Sequence, residues 1–169
     1  MKGEKKKLKG EKKKLIRKIL IKFSDINVSC TATLLDEEEP ELCDRFWNAL
    51  EIPLKMICHH TLSTGQYFST HGRPPIHPVE VGSQANPIGR KRWLLCNLDP
   101  GMLLYVGGTQ VNMAYGPHMT EPLLGSGSVA AKVDKENLDD FLKAGKHVWN
   151  SEFMTHRLVT ITVMRKKEE

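Results

Sequence analysis

Residues 99–117 read DPGMLLYVGGTQVNMAYGP, and this stretch predicts a β-hairpin. Its first arm, Met102–Val106, consists of apolar and aromatic residues, and its second arm, Val111–Tyr115, alternates large residues with small or polar ones. Alternation with a period of two is typical of a strand with one buried face. The pair Gly107-Gly108 between the arms suits a tight turn, so the stretch predicts two antiparallel neighbours in a sheet.

The same strand pattern recurs on both sides of this hairpin. It predicts further strands over residues 19–23, 28–34, 54–60, 67–68, 93–96, 128–133 and 158–164. Two segments have helical spacing instead: residues 40–50, which begin with a proline after four acidic residues, and the segment after Asp134, which can cap a helix. This order predicts a mainly β fold with two helices, a closed or nearly closed antiparallel β-barrel of about eight strands.

The composition is that of a single globular domain. The chain has 169 residues, of which 40% are hydrophobic and 27% are charged, which is enough apolar material for a sizeable core. Its apolar runs are far shorter than the roughly 20 residues of a membrane-spanning helix. The basic N-terminus is not followed by a small-residue cleavage site of the secretory type. We therefore expect a cytoplasmic protein that does not associate with membranes.

The charge of the chain is distributed unevenly. The formal net charge is +5, but residues 1–22 alone carry 11 Lys and Arg against 2 Glu, so the remaining residues are mildly acidic. Within this basic stretch the heptad KGEKKKL occurs twice in tandem, at 2–8 and 9–15. We expect residues 1–18 to be a flexible tail and 19–169 to be one barrel domain. A mildly acidic domain argues against a nucleic-acid-binding face.

The four cysteines, Cys30, Cys43, Cys58 and Cys96, include no CxxC pair. This spacing argues against a structural zinc site, and the apolar surroundings of each cysteine favour reduced, buried thiols. No HExxH motif, nucleophile elbow or phosphate-binding glycine loop is present either. The sequence therefore predicts neither a metal site nor a cofactor.

Four stretches together resemble a bacterial family of small cyclophilin-like proteins, whose domain type also forms the N-terminal part of the cucumopine and mikimopine synthases. They are CTATLLDEEEPELCDRFWNAL (30–50), KMICHHTLSTG (55–65), the hairpin at 99–117, and GSVAAKVDKENLDDFLKAGKHV (127–148). The resemblance extends over roughly residues 19–164. It implies a cyclophilin-like barrel and an opine-synthase-like activity, the cofactor-independent Pictet–Spengler condensation of a histidine-like amino acid with a 2-oxo acid.

Three residues are candidates for catalytic proton transfer: His60, Tyr115 and Glu121. Counting back from Gly65, His60 takes the place of a histidine of the resembling family, and an imidazole suits proton transfer at neutral pH. Tyr115 belongs to a YG pair that the family also carries. His59 precedes His60 on the same strand and points to the opposite face, so it has the character of a structural histidine.

Five further residues are candidates for substrate binding, because they lie on or beside the two long loops expected at 70–92 and 116–126. They are Tyr67, His71, Arg90, Arg92 and His118. A guanidinium group at the end of the first loop can hold a carboxylate in bidentate fashion, although a run of three basic residues is more typical of a solvated surface.

Three functions remain open on these residues. The domain can be an opine-synthase-like enzyme for a small-molecule substrate, a domain that binds or converts another carboxylate or cyclic amide, or an interaction module whose basic tail meets an acidic partner. Proline isomerisation is not expected, because the FHR and NGSQFF motifs of prolyl isomerases are missing and residues 82–86 (GSQAN) lack the aromatic pair. A homo-oligomer is compatible with such a small barrel.

Overall fold

The computed structural model describes residues 16–73, 77 and 79–167. Within this part, the chain forms eight strands, two α-helices and three short 3₁₀ helices. The strands are β1 (Lys18–Phe23), β2 (Val28–Leu34), β3 (Leu54–His60), β4 (Gly65–Gly72), β5 (Met102–Gly107), β6 (Gln110–Met119), β7 (Ser128–Val133) and β8 (Thr160–Arg165). The α-helices are α1 (Pro40–Ala49) and α2 (Leu138–Phe153), and the 3₁₀ helices are Ser24–Ile26, Leu95–Asn97 and Lys135–Asn137.

The strands close into a barrel in the order β1-β2-β7-β5-β6-β4-β3-β8, and each pair of neighbours is antiparallel. Closure leaves no unpaired edge, because β8 pairs with both β1 and β3. The predicted fold class, a mainly β antiparallel barrel with two helices, is thus confirmed. The glycine-pair hairpin is also confirmed: Gly107 and Gly108 both have positive φ angles, which suits the turn between β5 and β6.

The inward residues of the strands and one face of each helix form the main core. Phe23 lies within it and makes edge-to-face contacts with Phe68 of β4 and Phe141 of α2, each at a centroid distance of 6.3 Å. At the turn end of the β5–β6 hairpin, Phe46 of α1 stacks on Tyr105 at 4.7 Å. The two helices therefore cover different ends of the barrel interior.

A second, smaller core lies on the outer face of β4, β5, β6 and β7. Segment 93–98 crosses this face and contributes the buried Leu95 and Leu98, which pack against outward residues of the strands. The prediction of a strand at 93–96 is wrong. Leu94 forms only an isolated bridge with Leu124, and the residues that follow form a 3₁₀ helix. Leu95 and Leu98 are buried by packing on the outer face of the barrel, so they need no strand partner.

Two strands are longer than their apolar patterns predict. β4 extends over Gly65–Gly72, and β6 continues through Gly116, Pro117 and His118, which were expected to lie in a loop. The two strands pair along much of their length, with Tyr67 opposite Ala114 and a register shift before it. Hydrogen bonds between the two backbones stabilise these polar strand ends. The pattern of apolar and polar side chains does not show such pairing, so it could not predict them.

The predicted capping role of Asp134 is wrong. No side chain caps the 3₁₀ helix that precedes α2, and the Asp134 carboxylate instead accepts hydrogen bonds from Thr31, Thr33 and Lys18. Burial raises the pKa of Asp134, but the bonds from these three partners outweigh burial and leave the pKa below its usual value. Asp134 therefore ties the segment after β7 to β1 and β2.

The predicted tail lies mostly outside the described residues, which begin at Ile16. Arg17 forms ion pairs with Asp36 and Asp44, and β1 begins at Lys18. Residues 74–76 and 78 of the predicted 70–92 loop also lie outside the described residues. Neither α-helix in the described part of the chain has the length and apolar character that a membrane crossing requires.

Candidate functional site

His60 and Tyr115 meet at the end of the barrel that α2 covers. His60 is the last residue of β3 and points inward, as Met56 and Cys58 do at alternate positions before it. Tyr115 lies on the inward face of β6, in step with Val111 and Met113. The imidazole Nε2 of His60 lies 2.7 Å from the hydroxyl oxygen of Tyr115, and both residues are buried.

The hydrogen bonds of His60 define its tautomer. Its Nδ1 lies 2.7 Å from the carbonyl oxygen of Thr61, and a carbonyl can only accept. Nδ1 therefore carries the proton, and Nε2 accepts a hydrogen bond from the hydroxyl group of Tyr115. In this arrangement the lone pairs of the Tyr115 oxygen are free to accept a proton or a hydrogen bond from a ligand.

The surroundings favour the neutral form of both groups. Burial lowers the pKa of His60 and outweighs the opposing effects of the Thr61 carbonyl and of Glu152, whose carboxylate accepts the His60 backbone N–H at 2.5 Å. Burial also raises the pKa of Tyr115 to about 12. At neutral pH the pair thus consists of a neutral imidazole and a protonated phenol, which together can relay one proton.

A cavity of about 310 Å³ opens beside this pair. Its lining combines proton-transfer, aromatic, cationic and amide groups: His60, Leu62, Gly65, Gln66, Tyr115, Lys146 and Trp149. Trp149 packs edge-to-face on the His60 imidazole with ring centroids 4.8 Å apart. The Lys146 side chain is exposed at the mouth, so the cavity offers an aromatic wall, a positive charge and a proton relay.

Lys146, Trp149 and Gln66 are lining residues that the sequence analysis did not assign to a site. Lys146 and Trp149 are three residues apart on α2, which places them on neighbouring turns of one helix face. That spacing alone marks a helix face and not a cavity. Only the packing of α2 on the barrel, where Gly145 lies against the ring of Tyr115, brings this face next to His60.

The structure does not bring Glu121, the third predicted catalytic residue, to this pair. Glu121 lines another cavity, of about 180 Å³, together with the predicted binding residue Tyr67. Tyr67 points to the outer side of the sheet, while its neighbour Phe68 points into the barrel. Glu121 accepts a hydrogen bond from the Thr64 hydroxyl at 2.7 Å on that outer side.

The remaining predicted binding residues are spread over the surface. His71 is exposed and lies next to His59, with ring centroids 5.4 Å apart, and His118 is exposed on β6. The Arg90 side chain pairs with Glu41, and the Arg92 guanidinium donates to the carbonyl of Ala85. These four candidates line neither the His60 cavity nor the Glu121 cavity.

The backbone next to Arg90 has a clear structural role that the sequence analysis missed. Glu39 is buried, and its carboxylate accepts hydrogen bonds from the backbone N–H groups of Arg90 and Lys91. This contact anchors the end of the long loop to the start of α1. In the part of the chain that the structure describes, no three His, Cys, Asp or Glu side chains form a group that could hold a metal ion.

Comparison with known proteins shows a similarity in fold. No protein-family model matches the sequence, and no curated protein matches it. Among solved structures, the fold is similar to that of McbB in complex with tryptophan, with a TM-score of 0.72 and 23% sequence identity over 89% of this chain and 45% of McbB. This chain thus spans less than half the length of McbB. A weaker likeness, with a TM-score of 0.48 and 14% identity over 89% of this chain and 95% of the other, is to the hypothetical protein AF2241 from Archaeoglobus fulgidus.

Proposed function

We propose that the chain is a cofactor-independent enzyme that condenses an amino acid bearing a nucleophilic aromatic ring with a 2-oxo acid. The observation that carries the proposal is the 2.7 Å hydrogen bond between His60 and Tyr115 at the wall of a cavity that also holds Lys146 and Trp149. The resemblance of the sequence to the opine-synthase type of cyclophilin-like domain points to the same chemistry.

The lining of the cavity indicates the class of substrate. The ammonium group of Lys146 at the mouth can pair with a substrate carboxylate, and Trp149 offers a face or an edge to an aromatic ring. The solved structure of McbB, which has a similar fold, contains tryptophan, an amino acid with these two features. We take histidine- and tryptophan-like amino acids as the first substrates to test.

The His60–Tyr115 pair supplies the proton transfers that the condensation needs. Through the Tyr115 oxygen, neutral His60 removes one proton from the substrate ammonium, so that the free amine attacks the 2-oxo acid carbonyl and forms a carbinolamine. The same pair returns that proton to the carbinolamine hydroxyl, which leaves as water and yields an iminium ion. A ring carbon then attacks the iminium carbon, and the relay accepts the proton that this ring carbon loses. The sum is one C–N bond and one C–C bond formed and one water released.

Mass spectrometry of the protein incubated with L-histidine or L-tryptophan and a panel of 2-oxo acids tests the proposal. We expect a product at the summed mass of the two substrates less one water, with formation lost in His60→Ala. His59→Ala is the matched control, because it removes the same side chain one residue away on the outer face of β3. Activity should persist in this control.

Two results would overturn the proposal. One is the absence of any condensation product while circular dichroism confirms the fold. The other is a product whose formation does not depend on His60. If histidine or tryptophan raises the melting temperature without any product, the cavity is a binding site, and the alternative function of a small-molecule-binding domain replaces the enzyme.

A further inference from the structure

The outer cavity of about 180 Å³ is built from three parts of the chain. Strands β4 and β6 form its floor, with Tyr67, Ser69 and Asn112 on their outward faces. Gln84 of the long first loop, together with Glu121 and residues 124–126 of the second loop, forms its walls. The cavity lies on the opposite side of the β4–β6 sheet from the inward-facing Tyr115, so the proposed condensation does not use it.

The walls of this cavity are held in place by backbone hydrogen bonds. The N–H groups of Leu95 and Cys96 donate to the carbonyls of Leu123 and Glu121, at 2.8 and 3.0 Å. On the other side, the N–H of Thr120 donates to the carbonyl of Thr64 at 3.0 Å. These bonds fix the segment that carries Glu121 against the barrel before any ligand arrives, which lowers the entropic cost of binding.

The groups that line the cavity favour a ligand of positive charge. Hydroxyl and amide side chains from Thr61, Thr64, Tyr67, Ser69, Gln84, Gln110, Asn112 and Ser126 line it. Among the described residues that line the cavity, Glu121 is the one charged group, and none is Lys, Arg or His. A carboxylate has about four lone-pair positions, and Thr64 uses one of those of Glu121. Burial raises the pKa of Tyr67, which keeps its hydroxyl neutral beside this carboxylate.

We propose that this cavity binds a small organic cation, with a primary ammonium or guanidinium group on Glu121 and a polar body against the amides and hydroxyls of β4 and β6. A volume of about 180 Å³ corresponds to roughly six water molecules at their share of liquid volume, so the cation has only a few heavy atoms. A neutral polar compound lacks the charge that Glu121 attracts, and an anion is repelled by it.

Isothermal titration calorimetry with four compounds of similar size and different charge tests this. Ethanolamine carries an ammonium group and methylguanidine a guanidinium group, ethylene glycol is neutral, and glycolate carries a carboxylate. We expect ethanolamine or methylguanidine to bind at millimolar concentration or below, and the other two to bind at least tenfold more weakly. Equal binding of the neutral or anionic compound, or no binding of either cation, would refute the site.

Variants distinguish the carboxylate from the cavity as a whole. Glu121→Gln should weaken the cation at least tenfold, whereas Glu136→Gln, an exposed glutamate elsewhere, should leave binding unchanged. If Glu121→Gln does not fold, Ser69→Leu tests the cavity instead, because a leucine at this position fills it from β4 and leaves the carboxylate intact; the cation should again bind at least tenfold more weakly. Unchanged binding in the folded variant would contradict the proposal. His60→Ala should bind the cation normally, so failure of the condensation and failure of this site are separate results.

Discussion

Gly145 of α2 lies so close to the ring of Tyr115 that a methyl group at this position would overlap the ring carbons. Glycine in a helix interior usually costs about 1 kcal/mol relative to alanine. At position 145 this cost is offset by the approach of the helix to β6, which brings Trp149 and Lys146 of α2 to the His60 cavity.

We therefore predict that Gly145→Ala destabilises the protein, against the usual effect of this substitution. The added methyl must push α2 or the Tyr115 ring away, and overpacking of this kind typically costs about 1–3 kcal/mol. Denaturant unfolding measures the change, with Lys143→Ala on the exposed side of the same helix as the control. A stabilised Gly145→Ala variant would show that the helix does not pack as closely as described.

Tyr115→Phe tests the hydroxyl group while keeping the ring. Loss of the phenol removes the link between His60 and the substrate, and general acid–base catalysis typically contributes about 10²–10⁴-fold to rate. We expect kcat of the proposed condensation to fall at least a hundredfold, with a loss of stability of only about 1 kcal/mol for the missing hydrogen bond. Steady-state kinetics and urea denaturation measure the two effects. A Tyr115→Phe variant with normal kcat would remove the hydroxyl from the mechanism.

The lowered pKa of His60 predicts how the stability of the protein depends on pH. Because burial lowers the pKa of His60 in the folded protein, the unfolded chain binds a proton at a higher pH than the native one, near the ordinary value of about 6.5. The free energy of unfolding should therefore decrease as the pH falls from about 6.5 to the native pKa, and His60→Gln should remove this part of the dependence.

Glu152 provides a second test of the same histidine. Its negative charge raises the pKa of His60, so Glu152→Gln should lower that pKa further while the amide oxygen still accepts the His60 backbone N–H. NMR titration of the imidazole protons measures the shift. The exposed Glu51, after α1, is the control, and Glu51→Gln should leave the pKa of His60 unchanged. An upward shift in Glu152→Gln would contradict the electrostatic assignment.

Lys146 is predicted to act on substrate binding and not on the chemical step. Lys146→Met removes the charge at the cavity mouth and keeps most of the side-chain length. We expect KM for a carboxylate-bearing substrate to rise about tenfold, which corresponds to roughly 1.4 kcal/mol, with kcat nearly unchanged. Lys143→Met, which alters a lysine one turn earlier that pairs with Asp140, is the matched control. Equal kinetics for the two variants would exclude Lys146 from carboxylate recognition.

Glu39 is predicted to control the order of the loop end at residues 89–92. Glu39→Ala removes the acceptor for the Arg90 and Lys91 backbone N–H groups, and the loop end then loses its anchor to α1. Trypsin, which cleaves after Lys and Arg, should cut at residues 90–92 several times faster in this variant. Glu38→Ala, at the exposed neighbouring position, should be cut at the wild-type rate. Identical cleavage of both variants would show that the contact does not restrain the loop.

Much of the architecture follows from local patterns in the sequence. The alternation in Met102–Val106 and Val111–Tyr115, with two glycines between, predicts the β5–β6 hairpin correctly, and Pro40 marks the start of α1. The same local criterion fails at Trp93–Cys96, where apolar residues pack on the outside of the barrel without joining it. A hydrophobic pattern indicates that residues are buried. It does not show whether they are buried as part of a strand or by packing on the outside of the sheet.

The composition of the candidate site depended on the tertiary structure. A period of two shows that His59 and His60 face opposite sides, but it does not show that the inward side of His60 meets Tyr115, 55 residues later. The pairing of β4 with both β3 and β6 places these two side chains together and leaves Tyr67 on the outer side, where Glu121 also lies. The sequence by itself thus determined most of the strands, both helices and which side chains share a face of a strand. Strand order and helix docking decided which faces meet, because those contacts join residues far apart in the chain and no local pattern encodes them.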